Sequence, residues 1–245
     1  MKNFKQHYEE SIAHFREGCT IDNLASESKK LALEQECKSS NTCMAIYEMN
    51  EDKYSFLHWI FESEHHTEPI TFSMNSLEDL IHPSDIEYVI ESKMEAISRM
   101  NTIPHHELTH YKLIYECRMK DQHGIYHRVV HQFMVLETNS EGKPCLLRLQ
   151  LDAMPGKANT VPPRGLIIIN VRTRKKLVSN AQTRLTDTEI AMLKWIVKGY
   201  DSNAIAEKQY RSIHTVNNHR RNILRKTQMQ DIGQSILYAH VIGVL

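Results

Sequence analysis

With 245 residues, 41% of them hydrophobic, the chain can bury two separate cores, and it holds no apolar run near the 18 residues that a membrane-spanning helix needs. Formal charge is zero, 30 Lys+Arg against 30 Asp+Glu, but residues 1–154 hold 15 basic and 25 acidic side chains and the remainder holds 15 and 5. An acidic module of −10 is therefore joined to a basic module of +10, and a polyanionic partner belongs with the second.

From Asn3 to Glu17 the residues Phe4, Tyr8, Ile12 and Phe15 recur at helical spacing, and a second helix is predicted from Asp22 to about Cys37. Such helices either cover the domain that follows or pair with a twin in a dimer. The opening MKNFKQHYEE lacks the apolar core of a signal peptide, so the cytoplasm is the expected location. Two strand-like runs, Thr42–Met49 and Lys53–Phe61, are joined at Asn50-Glu51-Asp52 as a hairpin, and an irregular section extends to Asn75. Ser84 with Glu87 has the form of a capping box, opening a helix whose stripe is Ile86, Val89, Ile90, Ile97 and Met100. Three further strands follow. Tyr111–Met119 alternates apolar residues with Lys112, Glu116 and Arg118, which predicts one buried and one wet face. Ile125–Leu136 is apolar on both faces, as a central strand would be, and Cys145, Leu147, Leu149 and Leu151 alternate again. Turns at Asp121-Gln122-His123-Gly124 and Asn139-Ser140-Glu141-Gly142 make these three a meander.

This order over about Thr42–Ala153 resembles the PAS sensor domain, most closely at Leu80-Ile81-His82-Pro83-Ser84-Asp85. The resemblance implies a five-stranded antiparallel sheet with helices on one face, often enclosing a small-molecule pocket or forming a dimer surface. Residues 155–165, PGKANTVPPRG, hold three prolines and two glycines and read as a flexible linker. Leu166–Asn170 and Lys176–Val178 then suit a small hairpin around Arg172-Thr173-Arg174.

The stretch Arg184–Lys226 reads as three short helices with two tight corners. Thr186 and Glu189 form a capping box before the stripe of Ile190, Leu193, Ile196 and Val197, and Gly199 supplies the stop. Ser202 is placed to cap a second helix carrying Ile205 and Ala206, and Ser212 a third with Val216, Ile223 and Leu224 buried. The third helix carries the chemistry. Its other positions, Thr215, Asn217, Asn218, His219, Arg220, Arg221, Asn222, Arg225 and Lys226, put hydrogen-bonding groups and positive charge on a rod that fits a B-DNA major groove. Asp231 is placed to cap a fourth helix reaching about Val241.

Leu185-Thr186-x-x-Glu189, Lys198-Gly199, Ile205-Ala206-Glu207, Thr215-Val216-x-Asn218-His219 and Asn222-Ile223-Leu224-Arg225-Lys226 together resemble the LuxR-type, or GerE-type, DNA-binding domain of bacterial transcription regulators. The resemblance covers the last quarter of the chain. It implies base reading by Asn217, Asn218 and Arg221, phosphate contacts from Ser212, Thr215, His219, Arg220, Arg225 and Lys226, and a fourth helix able to serve as a dimer contact. Gln209, Arg211 and Thr227 depart from it, standing where the family usually has apolar residues. The first two remove packing from the turn, and Thr227 weakens the seat of helix three on helix four.

Other chemistry is set aside. Five scattered cysteines, Cys19, Cys37, Cys43, Cys117 and Cys145, form no C-x-x-C pair, so neither a disulfide framework nor a zinc ribbon is expected. His127 and His131 share a strand face but would lie about 13 Å apart, against about 2.1 Å from zinc to each bound nitrogen. No phosphate-cradling glycine loop, nucleophile elbow or H-E-x-x-H occurs, so no catalytic site and no cofactor are expected. The expected architecture is α+β. Residues 1–154 form N-terminal helices and a PAS-like five-stranded sensor, 155–183 a linker, and 184–245 an all-α four-helix LuxR-type domain. The expected function is that of a one-component transcription regulator binding double-stranded DNA as a homodimer, with a ligand or partner sensed by the first domain. A phosphorylation-driven response regulator, a PAS module controlled by a partner protein, and a metal or haem sensor are the alternatives.

Overall fold

The computed structural model of the chain describes residues 8, 10, 12, 13, 16, 19, 23–40, 43–56, 58–62, 70–157, 160–179 and 185–245. Alternating side chains build its centre, an antiparallel sheet of eight strands in the order β3-β2-β1-β6-β5-β4-β7-β8. The strands are β1 (Cys43–Glu48), β2 (Lys53–Phe56), β3 (Ile70–Phe72), β4 (Tyr111–Lys120), β5 (Tyr126–Thr138), β6 (Pro144–Ala153), β7 (Ile167–Asn170) and β8 (Lys176–Ser179). The helices are α1 (Asn23–Ser40), α2 (Met74–Glu78), α3 (Pro83–Met100), α4 (Asp187–Val197), α5 (Ser202–Lys208), α6 (Ile213–Thr227) and α7 (Ile232–Val241), with a 3-10 turn at His105–His110.

Five contiguous strands, β2-β1-β6-β5-β4, occupy the runs where sequence pattern predicts them. The sheet is nevertheless eight-stranded rather than five-stranded. β3 falls in the section read as irregular, because three residues are too short to show a period. β7 and β8 form the hairpin, but β7 also pairs with β4 from Tyr111↔Asn170 to Ile114↔Ile167, so these residues complete the sheet edge. The preceding segment is held as well. The Tyr88 hydroxyl donates to the Gly165 carbonyl at 2.9 Å and accepts from the Gly165 amide at 2.8 Å, with the Arg164 guanidinium over its ring.

The front face of the sheet carries Tyr47, Tyr54, Phe56, Tyr115, Cys117, Met119, Val129, Leu149 and Leu151, packed against Val89 and Ile90 of α3. Tyr8 and Ile12 are buried in the same cluster, so the N-terminal helical residues take the covering role; Phe4 and Phe15 lie outside the described residues. Arg16 fixes that helix to the first hairpin, donating to the Tyr47 hydroxyl at 2.8 Å and to Asp52 at 2.6 Å. The back face was expected to be wet along β4 and is not: Ile114, Glu116 and Arg118 are all buried. Arg118 turns to Asp85 at the start of α3, and the others lie under the C-terminal helices.

The junction read as most PAS-like has a mechanical explanation. His82, not Ser84, caps α3: its Nδ1 accepts from the Ser84 amide at 3.1 Å, while Pro83 occupies the first helical turn, where its missing N–H costs nothing. Asp85 accepts from the Arg118 amide at 3.0 Å, from Nε at 2.8 Å and from Nη2 at 2.7 Å. Burial opposes the Asp85 charge, but these bonds outweigh it and hold the carboxyl below the ordinary range. Ile81 bridges Met119, so loop, helix start and β4 form one joint.

Between the front face and α3 lies a cavity of about 100 Å³ lined by Tyr8, Tyr54, Ala96, Leu113, Tyr115 and Phe133 among others. Lys93 reaches its wall and pairs with Glu78 at 2.7 Å, so although burial disfavours the ammonium its pKa is raised.

Candidate nucleic-acid interface

Each element of the C-terminal domain starts and stops on a local signal. Thr186 and Glu189 make the expected reciprocal box: Thr186 Oγ1 accepts from the Glu189 amide at 3.3 Å, and Glu189 Oε2 accepts from the Thr186 amide at 2.7 Å. Ser202 does not cap α5. Asp201 does, accepting from the Ala204 amide at 2.8 Å, because a carboxylate one residue earlier reaches the free N–H groups better placed. Ser212 caps α6 and Asp231 caps α7, accepting from the amides of Thr215 and Gln234 at 3.1 and 2.8 Å. The core of the domain is Leu185, Met192, Leu193, Ile205, Ala206, Val216, Ile223 and Ala239.

The turn between α5 and α6 does without apolar residues. The Tyr210 amide donates to the Glu207 carbonyl at 3.2 Å and the Arg211 amide to Ala206 at 2.9 Å, the paired bonds of a Schellman end. Main chain therefore shapes the corner, and Gln209 and Arg211 stay in solvent. Thr227 is fully buried. Its hydroxyl donates to the Ile223 carbonyl at 2.9 Å and lies 3.0 Å from the Ser235 hydroxyl, so helix three sits on helix four through a polar pair.

α6 is a rod of 15 residues, about 22 Å long, with four cations and no carboxylate. Val216, Ile223 and Thr227 turn inward; Asn217, Arg221, Asn222 and Arg225 are exposed, and Asn218, His219 and Arg220 are half-buried. Arg221 Nη2 donates to Asn218 Oδ1 at 2.7 Å, so two of the expected base-reading side chains are already aligned with each other. At the N-terminal end the hydroxyls of Ser212 and Thr215 lie 2.9 Å apart. The Lys226 ammonium binds Glu189 at 2.7 Å, tying the end of α6 to the start of α4. Burial opposes the Glu189 charge, yet Lys226 and Thr186 hold its carboxyl below the ordinary range. Sequence reasoning missed this pairing because 37 residues separate the partners.

Among the described residues no group of three His, Cys, Asp or Glu side chains could hold a metal ion. His131 lies 3.1 Å from the Cys117 thiol and stacks on Tyr115, and burial together with Lys93 lowers its pKa to about 3. A neutral imidazole beside a thiol whose pKa burial raises is no nucleophilic pair. No helix of the described residues is long and apolar enough to cross a membrane.

Three capped helices with two tight corners and an exposed basic rod define a helix-turn-helix domain. Residues 183–239 match the family described as bacterial regulatory proteins, luxR family, which are transcription regulators and not enzymes. Response regulator protein VraR of Staphylococcus aureus is 36% identical over 73 residues, 30% of this chain and 35% of that protein, and its Staphylococcus saprophyticus counterpart matches equally. The chain thus spans about a third of the length of these relatives. Among solved structures, VqmA of Vibrio cholerae is 16% identical over 61% of this chain and 64% of its own, with a TM-score of 0.25. SdiA of Escherichia coli is 14% identical over 98% of both chains, with a TM-score of 0.29.

Proposed function

We propose that the chain is a sequence-specific DNA-binding transcription regulator, acting in the cytoplasm as a homodimer, with residues 1–154 as a PAS-like sensor, 155–183 as the connection and 184–245 as the reader. The observation that carries this reading is the exposed face of α6, which sets Asn217, Asn218 and Arg221 beside further cations with no carboxylate on the helix. Asn pairs bidentately with adenine and Arg with guanine in the major groove, so these three read base edges. Ser212, Thr215, His219, Arg220, Arg225 and Lys226 hold phosphates, Lys226 with its charge partly committed to Glu189. Arg221→Ala should cost about 1 to 3 kcal/mol at one base position, measured by competition among randomised duplexes, whereas Arg225→Ala should weaken every sequence alike and lower the salt slope by about one. Equal loss on all sequences for both variants would overturn the division of roles.

For the sensor, the support is the contiguous run β2-β1-β6-β5-β4 with α3 across its front and the apolar cavity between them. A small molecule or a partner protein is the signal. A native mass spectrum of the purified chain tests both parts, with a dimer mass and a retained small molecule as the ligand-sensing outcome. The uniformly antiparallel pairing speaks against a phosphorylated receiver, which needs parallel strands alternating with helices.

A further inference from the structure

The C-terminal helices are not held by the connection alone. Met229, Tyr238 and Ile242 pack with Ile114, Val130, Met154, Ile167 and Ile169 in one buried cluster on the back face of the sheet. Beside it lies a polar group drawn from both halves. Arg128 Nε donates to Glu116 Oε2 at 2.6 Å, the Tyr238 hydroxyl donates to Glu116 Oε1 at 2.6 Å, and Arg128 Nη1 donates to the Thr227 carbonyl at 2.7 Å. The Arg128 and Glu116 side chains are only 4% and 6% exposed, and the guanidinium lies 5.0 Å from the centre of the Tyr238 ring.

Thr227 is the last residue of α6, where free carbonyls and the negative end of the helix dipole attract a cation. A guanidinium from the sheet fills that role here. Strand alternation puts Ile114, Glu116 and Val130 on the back face while Leu113, Tyr115 and Phe133 of the same strands line the cavity, so one layer of main chain separates the two. The hydrogen bonds from Tyr238 to Glu116 and from Arg128 to the Thr227 carbonyl both end on the one Arg128–Glu116 ion pair, so they are made and lost together.

We infer that Arg128, Glu116, Tyr238 and the Thr227 carbonyl form an inter-domain clasp by which the sheet sets the pose of α6, and that the clasp opens as a unit while the sheet stays folded. Asn217 and Arg221 are exposed with the clasp closed, so it governs where the helix points and leaves its outer face uncovered. The inference goes beyond the DNA-binding proposal and does not depend on what α6 binds.

Hydrogen exchange and small-angle scattering on the full chain test it. In the wild type, amides of 228–242 should lose protection under mild denaturant before those of 43–48; simultaneous loss would overturn opening as a unit. In the double variant Glu116→Gln, Arg128→Met, whose circular dichroism should match the wild type, amides of 228–242 should exchange at least tenfold faster, with a larger radius of gyration. Tyr238→Phe, which removes one hydroxyl, should shift exchange in the same direction by at least threefold. Unchanged exchange and scattering in a folded double variant would overturn the clasp. If the double variant does not fold, Tyr238→Phe decides, and unchanged exchange there overturns it.

Discussion

A carboxylate and a guanidinium buried together, Asp85 and Arg118, show how much one pair settles at the residue scale: they join the start of α3 to β4 and carry three hydrogen bonds. Removing one partner of such a pair strands the other, so Arg118→Met should cost about 3 to 5 kcal/mol, read from the denaturant midpoint of the sheet. A loss below about 1 kcal/mol would mean that water reaches Asp85. His131 makes a pH prediction. Its folded pKa lies near 3, below the ordinary 6.5, so between those values the unfolded chain binds the extra proton. Stability is therefore complete above pH 6.5 and falls on acidification, by up to about 1.4 kcal/mol per pH unit from this group. His131→Phe, which keeps the stacked ring, should flatten that slope; an unchanged slope would assign it to other groups.

At the scale of elements, the helices α4 to α7 end alike although their sequences differ. Gly199, Tyr210, Gln228 and Gly243 all have positive φ at the residue that turns the chain. Glycine takes that conformation freely, and a side chain does not. Tyr210 is 97% exposed at φ 51°, so its ring contributes little packing in return. Tyr210→Gly should raise the stability of the C-terminal domain by about 1 kcal/mol in thermal unfolding, as release of left-handed strain requires. A lower stability would show that the tyrosine has contacts in solution that offset the strain.

For the whole molecule, the charge asymmetry does not by itself explain how the halves meet. Among the described residues Arg220, Arg221 and Arg225 pair with no carboxylate of residues 1–154; the halves meet through an apolar cluster and the polar group of Arg128, Glu116, Tyr238 and the Thr227 carbonyl, whose ion pair lies wholly within the sheet. The basic face of α6 is consequently not covered by the acidic half. One such helix spans only a few base pairs, so two copies reading half-sites about one helical turn apart is the expected complex. Sedimentation of the chain on a duplex with two half-sites should give two chains per duplex, and a strictly monomeric complex would exclude the dimer.

What the sequence determined by itself is local: the caps at Thr186, Ser212 and Asp231, the stop at Gly199, Val216 and Ile223 in the stripe of α6, though Thr227 rather than Leu224 completes it, and the alternation of the central strands. Each arises within a few residues, where hydrogen-bond reach and side-chain period decide the outcome. Cap placement erred by one or two positions at Ser84 and Ser202, where His82 and Asp201 compete for the same amides. Tertiary structure alone decided that Glu116 and Arg118 are buried. Polar residues on a strand read as a wet face, and only distant partners, Asp85 at 33 residues from Arg118 and Tyr238 at 122 from Glu116, reverse that reading. The same reason applies to β7: four residues look like half of an isolated hairpin until β4, more than fifty residues earlier, offers its free edge and unmet backbone groups to pair with them.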